Sequence, residues 1–118
     1  MDCYYVDLSY LKEFAKGNNA TVIKYISMFQ ASAPALLRNM EVAMEGADAN
    51  GVYAALHTLK PQLQFMGISK AHEKAEKGEF LLREKPVLTE EINLLIGEIT
   101  DIINGALREL EASKTQFV

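Results

Sequence analysis

Cysteine, tryptophan, proline and glycine are scarce in this chain: one, none, three and seven in 118 residues. The lone Cys3 has no partner for an internal disulfide and no metal ligand beside it in sequence. So little proline and glycine excludes a turn-rich sandwich or a low-complexity tail. No apolar run is long enough to span a bilayer, and the first residues lack a charged-then-apolar signal segment. Twelve Lys and Arg against sixteen Asp and Glu give a net charge of −4. That balance argues against nucleic acid as the main partner, because phosphate binding needs a clustered basic face. Enzyme signatures are missing as well: no glycine-rich phosphate loop, no G-x-S-x-G, no H-E-x-x-H, no Cys/His cluster and no Glu-x-x-His. The chain therefore brings no ATP site, and any phosphate it handles arrives from elsewhere.

What is present is a globular composition, 49% hydrophobic and 24% charged, carried on helical periodicity from end to end. Residues 7–16 predict a short first helix with Asp7 as N-cap, Leu8, Leu11 and Phe14 as its apolar face, and Gly17-Asn18 as its stop. Its few apolar positions suit a lid on a larger bundle. Residues 19–45, capped by Asn19, carry the stripe Val22, Ile26, Phe29, Ala33, Leu36, Met40 and Met44, with a kink or break expected at Pro34. The third helix, residues 48–66, has Asp48 or Asn50 as cap and Val52, Leu56, Leu59, Leu63 and Met66 on one side. Gly67 ends it. Residues 69–84, capped by Ser69, turn small residues inward at Ala71, Ala75 and Gly78, which predicts close approach to a neighbouring helix. Residues 89–113 begin at Thr89 and show the strongest stripe, from Ile92 through Leu110, while residues 115–118 are expected to fray. With no alternating segment to suggest a strand, the expected fold is all-α. It is one domain over residues 1–118, an antiparallel four-helix bundle preceded by a short N-terminal cap helix.

On the third helix, His57, Lys60 and Gln64 fall together outside the apolar stripe, with Pro61 beside them. Neutral imidazole is a competent nucleophile near neutral pH. Attack on a phosphoryl group would bring new negative charge, and Lys60 lies about 4.5 Å further along the axis on the same face. Gln64, two turns along, is better placed to meet a docking partner, while Tyr53 borders the approach to His57. Spacing alone leaves a second reading open, that of a solvated histidine with an ordinary neighbour three residues on.

The run His57-x-x-Lys60-x-x-x-Gln64-x-x-Gly67, on the second long helix of an all-helical chain of this length, resembles the histidine-containing phosphotransfer (HPt) family. That family's signature is a helix carrying His-x-x-Lys-Gly, closed by a later glycine, and the likeness covers nearly the whole chain. The resemblance implies a phosphorelay intermediate, not an enzyme with turnover of its own. His57 would accept a phosphoryl group from a receiver-domain aspartate and pass it to another, with Lys60 as charge partner. It also implies partners, response-regulator receivers and a hybrid histidine kinase, and no cofactor of its own, with Mg²⁺ on the receiver. In many members a Gln or Glu of the following helix bonds the histidine's Nδ1. The matching position is Glu79, which a solvated-face reading with Glu73 and Glu76 fits equally. Tyr53, Pro61, Gln64 and Gly67 would meet the partner.

The chain departs from the family pattern at Pro61, where glycine is usual. Proline there removes the amide that bonds the His57 carbonyl, so a local kink that re-aims Lys60 is expected. That departure keeps a rival in view, a helical module that docks receivers or other proteins without taking phosphate. Other features carry less. His72 and Glu76 form a two-ligand pair more often solvated than metal-bound. Met28, Met40, Met44 and Met66 are expected as core filling. Lys70, Lys74 and Lys77 would steer an acidic receiver but are balanced by Glu73 and Glu76. The expectation is a cytoplasmic protein without a membrane segment, free-standing from Met1.

Overall fold

The last helix shows most plainly how the sequence becomes a fold. In the computed structural model, which describes residues 4–118, α5 spans Glu90–Ser113 and buries Ile92, Leu95, Ile96, Ile99, Ile102, Ile103, Ala106 and Leu110. These are the positions its period of three and four marks. Before it come α1 (Ser9–Ala15), α2 (Asn19–Glu45), α3 (Ala49–Phe65) and α4 (Ser69–Glu84). Among the described residues there is no strand. The 27-residue α2 is about 40 Å long by helical rise, close to the long dimension of the 44 × 21 × 20 Å molecule. The expected bundle with its cap helix is what forms. Cys3, and the expectation that it is unpaired, lies outside the described residues.

Three helix starts are capped by side chains on the third amide: Asn18 accepts from Thr21, Asp48 from Gly51 and Thr89 from Ile92. Two expected caps are displaced. Asn19 is the first residue of α2, its cap being Asn18, and Ser69 is the first residue of α4, with Ile68 in the cap position and no side-chain bond. Asp7 likewise precedes the cap residue Leu8, yet its carboxylate accepts from both the amide and the hydroxyl of Ser9, at 3.0 and 2.6 Å.

Neither internal proline breaks its helix. α2 runs unbroken through Pro34 and α3 through Pro61, so no interruption separates His57 from Lys60. Both prolines are exposed. The carbonyls they deprive of a partner, four residues back on the same face, can take water instead.

α3 packs between α2 and α4, and α4 between α3 and α5. Val52, Leu56, Leu59, Leu63 and Met66 are all buried, as the stripe demands. The expected fraying of residues 115–118 does not occur: Lys114–Phe117 form a 3-10 turn, Phe117 is buried against the core, and Lys12 lies over its ring. Met28 is also corrected, for it is half exposed, whereas Met40 and Met66 are core. Phe14 is not a core residue of the α1 face either. It stands edge-on to Tyr25 and Phe65, with Tyr10 completing an aromatic cluster at the surface.

The N-terminal segment is strapped to the bundle. The backbone amides of Tyr4, Tyr5 and Val6 all donate to the Glu109 carboxylate, and the Tyr5 ring lies on Gly105, where any Cβ would collide with it. The strap continues over the α3–α4 turn, where the Asp7 amide donates to the Gly67 carbonyl at 3.1 Å.

Candidate functional site

The site is created by close approach of α4 to α3. Ala71, Ala75 and Gly78 present little or no side chain to the seam, and a Cβ built on Gly78 would lie 2.9 Å from Leu56 Cδ1. At that separation the next residue, Glu79, reaches across to α3 with a short side chain. Its carboxylate is buried, 1% exposed, and bridges two residues: Oε1 is 2.9 Å from His57 Nδ1 and Oε2 is 2.7 Å from Lys60 Nζ. Glu79 is thus a buried, doubly bonded carboxylate, unlike its exposed neighbours Glu73 and Glu76.

Burial pushes the Glu79 carboxyl up, but hydrogen bonds from Lys60 and His57, with the charge those groups bring, outweigh it and hold it below the usual carboxylate range. An ionised carboxylate only accepts, so Nδ1 of His57 carries the proton in this contact, and in the neutral form of the ring Nε2 is the nitrogen that keeps a lone pair. The imidazole is otherwise open, with its side chain 68% exposed. Tyr53, one turn earlier, lies parallel to it, with ring centroids 6.0 Å apart and planes within 7°.

Lys60 does not stand free beside the imidazole as its spacing suggested. It is three-quarters buried and aimed at Glu79. Gln64 is exposed on the same helix. Pro61 forms part of an apolar recess of about 380 Å³ between α2 and α3, with Tyr25, Met28, Phe29 and Phe65. Gly67 is held by a structural requirement: its φ is +67°, and an added Cβ would lie 1.9 Å from the Asp7 carbonyl oxygen.

The lysines of α4 face away from His57. Lys74 pairs with Glu98 at 3.0 Å and Lys77 with Glu91 at 3.3 Å, both on α5, while Lys70 bonds the Tyr4 hydroxyl and lies over its ring. The acids that pair with Lys74 and Lys77 are therefore on the next helix, not Glu73 and Glu76. Among the described residues no group of three or more His, Cys, Asp or Glu side chains is placed to share a metal ion, and no helix is long and apolar enough to cross a membrane. The feature that sequence reasoning missed is the Lys60–Glu79 pair. Its one signal was the stripe of small residues that brings the two helices together.

The bundle thus presents His57 exposed on its flank, with Nδ1 held by the buried Glu79 carboxylate. A family model described as Hpt domain matches residues 24–113, and the chain belongs to that family. Its members are histidine phosphotransfer proteins of phosphorelays, phosphocarriers that work with partners such as receiver domains. No curated protein and no solved structure matches the chain.

Proposed function

We propose that the chain is a cytoplasmic phosphorelay intermediate that accepts a phosphoryl group on Nε2 of His57 from a receiver-domain phosphoaspartate and passes it to another receiver. The observation that carries this reading is the exposed imidazole with Nδ1 held against a buried carboxylate. The Nε2 lone pair forms a bond to phosphorus as the bond to the aspartate oxygen breaks, and the aspartate departs as a carboxylate. The ring, now cationic, keeps its Nδ1 proton and donates it in a hydrogen bond to Glu79, whose charge stabilises the product. The return reaction runs the same way backwards. A receiver supplies Mg²⁺ and most of the electrostatic assistance, since its own acids must be screened for the transfer. A hybrid histidine kinase charges the receiver upstream. Tyr53, Pro61 and Gln64, beside His57 on α3, face the incoming partner.

Incubation with a phosphorylated receiver tests this. The expected result is acid-labile, alkali-stable label on the wild-type chain and none on His57→Gln. Label that persists in the variant overturns the assignment. No label on the wild type with several receivers leaves a module that docks without taking phosphate.

A further inference from the structure

We infer that Lys60 is a positioning residue that keeps His57 reactive from behind, as the counter-ion of Glu79, instead of meeting the phosphoryl group directly. This rests on the proposed role of His57 and names how that site is kept ready. The observation is the bridge itself: one buried carboxylate with one oxygen on Nδ1 and the other on Nζ, at 2.9 and 2.7 Å. An ionised carboxylate in a seam between helices requires a compensating positive charge. Lys60 provides it from α3, through a side chain that is only 25% exposed. With that charge supplied, the imidazole can satisfy Glu79 as a neutral donor through Nδ1–H, and Nε2 stays unprotonated.

Without Lys60, the only remaining group within bonding distance of Glu79 that can become cationic is His57. The carboxylate would then draw a second proton onto the ring, at Nε2, and occupy the lone pair needed for attack. No other charged group replaces Lys60 at the bridge. On α3, Tyr53 is parallel to the ring and uncharged. On α4, Glu76 and Arg83, one turn to either side of Glu79, are exposed. On α2, Tyr25 reaches the recess beside Pro61, and no charged α2 side chain bonds the trio among the described residues. The α5 acids Glu91 and Glu98 are engaged with Lys77 and Lys74.

The test is Lys60→Met, which keeps the length and apolar stem but removes the charge, with Lys60→Arg beside it. His57 ring resonances are followed against pH by NMR in the unphosphorylated protein. The initial rate of phosphoryl uptake from a phosphorylated receiver is measured over the same range. In Lys60→Met the His57 titration should move up by about one pH unit or more, the size of effect expected from a nearby charge. The acid limb of the uptake profile should move with it, so that uptake falls about tenfold on that limb and the deficit shrinks as pH rises. Lys60→Arg should restore both profiles. In a Glu79→Gln background, Lys60→Met should no longer move the titration, because the carboxylate it serves is gone.

A Lys60→Met protein that loses uptake equally at every pH, with an unmoved His57 titration, would overturn the inference and place Lys60 on the phosphoryl group. That result leaves His57 as acceptor intact. Failure of the acceptor role shows separately, as label surviving in His57→Gln.

Discussion

At the seam of α3 with α4, a Cβ on Gly78 would lie 2.9 Å from Leu56 Cδ1; at the seam of α2 with α5, a Cβ on Gly97 would meet nothing within 4 Å. The first seam is closed by small residues and the second is left as an open groove of about 730 Å³, lined in part by Leu37, Arg38, Glu41, Ile96 and Asp101. The same residue type thus has opposite meanings in one bundle. Gly78 lets two helix axes approach until one glutamate can hold both a histidine and a lysine of its neighbour. Gly97 permits no contact that alanine would prevent. The proposed phosphoryl site lies on the seam where space is short, because a buried carboxylate can bridge two partners only if the backbones are close.

The largest expected effect is at the turn that joins the two closed-seam helices. Gly67→Ala would force a Cβ into the Asp7 carbonyl at a positive φ, and should lower stability by about 3 kcal/mol or more. Urea unfolding measures it directly; a loss under about 1 kcal/mol would mean that the N-terminal strap yields.

Next comes the bridge. Glu79→Gln should cost about 1–3 kcal/mol at neutral pH by leaving Lys60 without its carboxylate. Because the folded-state pKa of Glu79 lies below its ordinary 4.5, the stabilisation is fully present above that value and is lost as pH falls through the depressed one. The gap between wild-type and variant urea midpoints should therefore be wide at pH 7 and narrow toward pH 3. A gap independent of pH would show that the carboxylate's charge is not what the fold uses.

The two glycines then give a matched pair. Gly78→Ala should destabilise by about 1 kcal/mol, since its methyl group meets Leu56 in a filled core. Gly97→Ala should stabilise by about 0.5–1 kcal/mol, the ordinary helical gain of alanine over glycine. Equal signs for the two would erase the contrast between the seams.

These sites also show what the sequence could and could not disclose. The apolar stripes of α3 and α5 were legible because burial follows a period that one helix carries by itself. His57 was legible as a polar residue outside such a stripe. The His57–Glu79 half of the bridge was implied by the family resemblance alone; the Lys60 half was not legible, because Lys60 and Glu79 are nineteen residues apart, and only the packing distance between two helices decides whether they meet. Lys60 pointed toward His57 in spacing but is drawn sideways by a carboxylate on another helix. The burial of Phe117 was not legible because one aromatic near a terminus has no period; the packing of its 3-10 turn against α2 and α5 is a tertiary fact. Local cost alone predicts a kink or break at Pro34 and a kink at Pro61, yet both helices are continuous there, since exposed positions let water take the freed carbonyls.

The central claim is that His57 carries the phosphoryl group on Nε2 while Glu79 keeps the Nδ1 proton. Nitrogen-15 NMR of the ring in the phosphorylated protein tests it most directly. The account expects phosphorus coupling at Nε2 and a protonated, hydrogen-bonded Nδ1. Phosphorus on Nδ1, or a ring left unmodified while the label resides elsewhere, would contradict it.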